Sequence, residues 1–123
     1  MEDTVNSMEN WVIRIAEMLS EHKGEDTVVL DVRNQCFWTD YFIISTVTSQ
    51  AHLRGLIRHL KETLSEIPLT PLNRSRKARE EDWFLMDCGD FVVHLMTKET
   101  RDFYNLERLW FSSAILYQSS KSS

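Results

Sequence analysis

Cysteine is scarce in this chain: of 123 residues only Cys36 and Cys88 are cysteines, far apart and without metal-type or redox-type spacing. That pattern implies neither a disulfide framework nor a zinc site, and it fits a reducing cytoplasm. No apolar run approaches the length of a membrane span, so no membrane role is expected. The opening Met1-Glu2-Asp3 lacks the basic and then apolar run of a signal peptide, and the Arg-rich, acid-poor character of a transit sequence. No internal repeat is visible. An excess of positive charge is missing too: 14 Lys and Arg face 19 Asp and Glu, a formal net charge of -5. Such a field repels the phosphates of naked nucleic acid and favours a basic partner.

What is present is an ordinary globular composition, 42% apolar and 27% charged, at the size of one domain. The expected organisation is a single domain over 1–123, with its core at about 7–111 and a frayed Ser-rich tail at 112–123. Met8, Trp11, Val12, Ile15, Ala16 and Leu19 recur at helical spacing, with Asn6 as N-cap, Glu9 as its partner and Gly24 as terminator. Two β-branched and aromatic runs follow, Thr27 to Val32 and Tyr41 to Thr46, joined by a polar-aromatic connector from Arg33 to Trp38. From Ser49 the helical period returns through Leu53, Leu56, Ile57, Leu60 and Leu64 and stops before Pro68. Arg54, Arg58 and Lys61 on its other face read as a solvated surface.

Between Pro68 and Asp82 the composition turns polar, and Arg74, Arg76, Lys77 and Arg79 are answered by Glu80, Glu81 and Asp82. This predicts a mobile loop whose charges satisfy one another, with a peripheral rRNA contact as the alternative. Two short strands, Trp83 to Cys88 and Phe91 to Met96, flank the Gly89-Asp90 turn, and a last helix is expected from Glu99 to Trp110.

The turn sets the pairing of the hairpin. Opposed residues share a face, so Phe84, Met86, Cys88, Phe91, Val93 and Leu95 form one wholly apolar set, the core. The other set is mixed: Trp83, Leu85, Asp87, Val92, His94 and Met96. It reads either as an interaction surface or as a second face covered by helices. His94 with Asp87 is too small a set for a metal site, and acid–base chemistry lacks a third supporting group.

Three stretches resemble the Iojap family, also called ribosomal silencing factors. They are Val29-Leu30-Asp31-Val32-Arg33 with Thr39-Asp40-Tyr41-Phe42-Ile43-Ile44; Trp83-Phe84-Leu85-Met86-Asp87-Cys88-Gly89-Asp90-Phe91-Val92-Val93-His94; and Arg101-Asp102-Phe103-Tyr104-Asn105-Leu106-Glu107-Arg108-Leu109-Trp110. With the intervening helix they span about Trp11 to Trp110. The resemblance implies an α/β, nucleotidyltransferase-like fold, a mixed β-sheet flanked by helices, without transferase activity or a cofactor. It also implies binding to the large ribosomal subunit through its fourteenth universal protein, which blocks small-subunit joining and represses translation. A role in large-subunit assembly and a homodimer stay open beside that reading. In the family the positions matching Trp83 and Cys88 belong to the partner surface. With the hairpin's outer set, the candidate partner-binding residues are Trp83, Leu85, Asp87, Cys88, Asp90, His94 and Met96. Here Ser45-Thr46-Val47-Thr48-Ser49 stands where the family usually has a Gly before the helix-opening Ser, and Glu81-Asp82 replaces a Glu-Gly before the tryptophan. An active nucleotidyltransferase would need a Gly-Ser phosphate turn and an Asp-X-Asp metal pair, and neither follows Ser45.

Overall fold

The computed structural model describes residues 3–66, 76–80, 82–105, 108 and 113–119. Along the chain they form α1 (Asp3–Glu21), β1 (Glu25–Asp31), β2 (Tyr41–Val47), α2 (Gln50–Leu64), β3 (Arg76–Glu80), β4 (Trp83–Asp87), β5 (Phe91–Thr97), α3 (Lys98–Tyr104) and β6 (Ala114–Gln118). The strands make one sheet in the order β3-β4-β5-β2-β1-β6. Only the β2–β5 pair is parallel; the four others are antiparallel. The α/β class and the mixed sheet are as the sequence implies.

The central position of β2 explains its composition. Every residue from Tyr41 to Val47 is buried, because a strand with neighbours on both edges and cover on both faces has no solvent side to supply polar residues. Residues alternate between the faces. On the inner face Val29, Tyr41, Ile43, Val47, Phe84, Met86, Cys88, Phe91, Val93 and Leu95 pack with Val12, Ile15, Ala16 and Leu19 of α1 and with Leu53, Leu56 and Leu60 of α2. The apolar stripes of both helices are therefore spent on this one face. On the outer face Val28, Leu30, Val32, Cys36, Phe42, Ile44, Val92 and Met96 form a smaller cluster, bordered by half-buried Trp83 and Leu85.

Local chemistry sets most of the boundaries. Ser49 caps α2 by accepting from the His52 amide at 3.0 Å, which satisfies one of the open donors of the first turn. Thr97 does the same for α3, and Asn105, in the left-handed region at φ 48, closes it with its amide on Arg101 O at 2.8 Å. α3 therefore ends at Tyr104; of the further stretch expected as helix up to Trp110, Arg108 is helical and residues 106, 107, 109 and 110 lie outside the described residues. At the end of α1 it is Lys23, φ 76, that takes the left-handed turn. Gly24 is needed for space: a Cβ there would collide with Ser45 Oγ and lie 2.8 Å from Leu19 O. Helix α1 begins at Asp3, which places Asn6 inside it instead of at its cap; the preceding Asp3-Thr4-Val5 holds no breaker, so the helix runs on upstream.

Two expectations about irregular segments are corrected. Arg76–Glu80, read as loop, is a strand at the edge of the sheet, paired in register with Trp83–Asp87. Arg74 lies outside the described residues. The stretch read as a frayed tail contains β6, whose Ala114 to Gln118 pair with β1. Its attachment is reinforced where Ser119 exchanges hydrogen bonds with Thr27: the Ser119 amide donates to Thr27 O at 2.9 Å and the Thr27 amide donates to Ser119 Oγ at 3.0 Å. Among the described residues no helix is long and apolar enough to cross a membrane.

Candidate functional site

The β4–β5 hairpin has the pairing deduced from its turn: Trp83 opposes Met96, Leu85 opposes His94 and Asp87 opposes Val92. Gly89 takes φ 86, a value that costs glycine nothing. The turn is closed by the Cys88 amide on Phe91 O at 2.9 Å and by the Gly89 amide on Asp87 Oδ1 at 2.9 Å. The Asp87 carboxylate is thus committed to its own turn and does not pair with His94.

His94 turns the other way along the strand pair. Its Nδ1 accepts the indole N–H of Trp83 at 3.2 Å. The ring is only 4% exposed, and burial pulls its pKa down to about 4, because a low-dielectric site disfavours the imidazolium. The imidazole is therefore neutral at pH 7. With Nδ1 accepting, the proton sits on Nε2, a buried atom without a hydrogen-bond partner among the described residues.

Rings extend from this pair in both directions. Phe42 stands edge-on to His94 at 5.1 Å and meets Trp38 at 5.8 Å. On the other side Trp83 meets Tyr104 at 4.8 Å, and Tyr104 meets Phe103 at 4.9 Å, edge-on. Six rings thus run in contact across the outer face, from the β1–β2 connector to α3. The two ends of the row are exposed, Trp38 at 50% and Phe103 at 79%. Helix α3 is held in place by Arg101, whose guanidinium is buried and donates to Thr46 Oγ1 at 2.8 Å. Tyr104, one turn later, is thereby brought over Trp83.

The acidic residues gather at one end of the sheet. The Asp40 amide donates to Asp90 O at 3.1 Å, and burial, followed by the nearby Asp90 charge, raises the Asp40 pKa. Asp31 is held the other way by hydrogen bonds from Arg33, which lower its pKa. Asp87 and Asp90 are half-buried, so this end of the face carries negative charge beside apolar surface. No group of three or more His, Cys, Asp or Glu that could hold a metal occurs among the described residues.

The seven nominated residues therefore separate. Trp83, Leu85, Asp87 and Asp90 are partly exposed. Cys88 and Met96 are 0% exposed and His94 is nearly so, so none of these three offers surface, and only Met96 and His94 lie beneath the outer face. Cys88 belongs to the inner core, the place its alternation indicates and the resemblance does not. Phe103, Tyr104 and Trp38 extend the row of rings without having been nominated, because neither the end of a short helix nor an irregular connector carries a periodic signal, and only the fold links them to Trp83 and Phe42.

These features define a small α/β domain with an aromatic, acid-flanked surface on the outer face of its sheet. The chain belongs to the ribosomal silencing factor family: the family described as Ribosomal silencing factor during starvation matches residues 5–122. It is 36% identical over 97 residues to a ribosomal silencing factor of Treponema pallidum, spanning 78% of this chain and 86% of that protein. It is 32% identical over 98 residues to a mouse protein named Mitochondrial assembly of ribosomal large subunit protein 1, spanning 78% of this chain but 43% of the mouse protein. A crystal structure of a Chromobacterium violaceum protein superposes with a TM-score of 0.70 at 28% identity, covering 91% of this chain and 88% of that one.

Proposed function

We propose that this chain docks on the large ribosomal subunit through that subunit's fourteenth universal protein, and that its bulk then excludes the small subunit and represses translation in the cytoplasm. The observation that carries the reading is the row of rings around Trp83 on the outer face. A half-buried tryptophan ringed by apolar and aromatic neighbours is the usual anchor of a protein interface. The docking residues are Trp83, Leu85 and Tyr104, with Asp87 and Asp90 supplying the charge that meets a basic ribosomal protein. The role is one of binding, without catalysis.

A second reading, large-subunit assembly, is favoured by the name of the mouse relative. Both would use the same docking face. Sucrose-gradient profiles with purified subunits separate them. A silencing factor comigrates with large subunits and depletes joined ribosomes in a dose-dependent way. Comigration with precursors alone, leaving joining untouched, would instead support assembly, and no comigration at all would overturn the docking reading.

A further inference from the structure

His94 is a costly residue where it stands. It interrupts an apolar cluster formed by Phe42, Ile44, Val92 and Met96. Its Nε2–H is buried without an acceptor among the described residues, and a buried donor left unmade lowers stability relative to an apolar side chain of the same shape. An aromatic hydrocarbon would fill the same space at lower cost. What such a side chain would not supply is the Nδ1 lone pair that receives the Trp83 indole N–H.

That bond determines the attitude of the indole. Trp83 begins β4 next to the sheet's outer edge strand, with solvent on one side. The indole touches His94 on one side, ring centroids 5.9 Å apart at 44°, and Tyr104 on the other, 4.8 Å apart at 49°. Packing between two rings constrains the plane of the indole but not which of its edges faces inward. The hydrogen bond settles the edge: the pyrrole N–H points to His94, which turns the benzo ring of the partly exposed indole away from that buried acceptor. The low His94 pKa keeps the accepting lone pair available across the neutral range.

We infer that His94 is a positioning residue, which holds Trp83 in the one orientation that presents its apolar edge to the docking partner. The inference rests on the docking role proposed for Trp83. It adds that the orientation of the indole is preset in the free protein by a buried acceptor, so that association does not have to order it. His94 touches no partner itself.

The test uses the full chain, purified large subunits as the probe, and three substitutions. His94→Phe keeps the ring and removes the acceptor. Trp83→Phe keeps an aromatic anchor and removes the donor. His94→Asn returns an acceptor oxygen close to the position of Nδ1. One neutral hydrogen bond is worth about 3- to 10-fold in an equilibrium, so His94→Phe should weaken large-subunit binding by about that factor, while Trp83→Phe should lose at least as much. In the double variant the two losses should not add, and His94→Asn should recover part of the affinity. The amide and indole spectrum of labelled protein reads the cause directly. The Trp83 indole N–H, identified by its disappearance in Trp83→Phe, should move upfield in His94→Phe and return toward its original position in His94→Asn. Full additivity, or an indole signal indifferent to both His94 substitutions, would overturn the inference. So would parental affinity in His94→Phe while Trp83→Ala fails to bind. If Trp83→Ala binds as well as the parent, the docking reading falls first, and the indole shift alone decides whether His94 orients the ring. Should His94→Phe fail to fold, His94→Leu, which also lacks an acceptor, takes its place: an upfield indole shift is expected, and an unmoved signal overturns the inference.

Discussion

The two faces of the sheet are built from the same strands and obey the same alternation, yet they are different materials. The inner face is mostly hydrocarbon closed by α1 and α2, with one buried hydroxyl pair, Thr27 and Ser45, near the end of α1. The outer face has a smaller apolar cluster, a buried histidine, a buried arginine reaching in from α3, and a row of rings whose two ends are exposed. Burial alone does not separate them, since Val92 and Met96 are as inaccessible as Val93 and Leu95. The difference lies in what the buried atoms do. Most inner-face atoms fill space, whereas several outer-face atoms spend hydrogen-bonding capacity on holding a side chain of the aromatic row in place, a pattern expected where a surface is kept ready for use.

The largest effect should come from emptying the inner face. Phe91→Ala removes a fully buried ring from the core, at a cost of about 3–5 kcal/mol of folding stability, a large share of what a domain this size possesses. Urea denaturation should show it, and an unchanged midpoint would break the contrast between the faces. Next comes Trp83→Ala, which should lose about 2–4 kcal/mol of large-subunit binding, or roughly 30- to 1000-fold, with a smaller stability loss than Phe91→Ala. If instead the variant unfolds, the outer face is a second core and the docking surface must be moved.

Acid offers a gentler probe of the same contrast. The folded-state pKa of His94, about 4, lies below the ordinary value of 6.5. Between those values the unfolded chain binds the extra proton, so this contribution is complete above about pH 6.5 and is lost as pH falls toward 4. The difference amounts to roughly 3 kcal/mol in all and about 2 kcal/mol by pH 5. Measured against His94→Phe, which lacks the group, the parent should lose that much stability between pH 7 and pH 5; parallel curves would mean that the imidazole is hydrated or paired. The smallest effect is electrostatic. Asp87→Asn preserves the turn acceptor while removing charge, and together with Asp90→Asn it should slow association with large subunits about threefold at low salt and hardly at all at high salt. Stopped-flow association at several ionic strengths checks this, and a salt-independent difference would assign the loss to packing.

How much was legible beforehand depended on the range of the interaction. The hairpin could be read completely because Gly89-Asp90 sets the register and alternation does the rest. Helix α2 was equally plain, from its period and its Ser49 cap. The charged strand Arg76–Glu80 looked like loop, because at a sheet edge backbone pairing needs no apolar side chains. Strand β6 looked like a tail for a related reason: its five residues gain their place from partners distant in the chain, chiefly β1, 85 residues earlier at the Leu30–Ile115 pair. Cys88 shows the reverse case, where local alternation located the side chain better than the resemblance did.

The class of fold, the family and the face on which Trp83 stands follow from the order of residues alone, since periodicity, turn chemistry and a run of matching residues are all properties of neighbours along the chain. That Asp87 serves its own turn, that His94 accepts from Trp83 and that Tyr104 packs on Trp83 were settled in three dimensions. Those choices follow from distances between side chains that packing brings together, and such distances are not encoded in spacing along the chain.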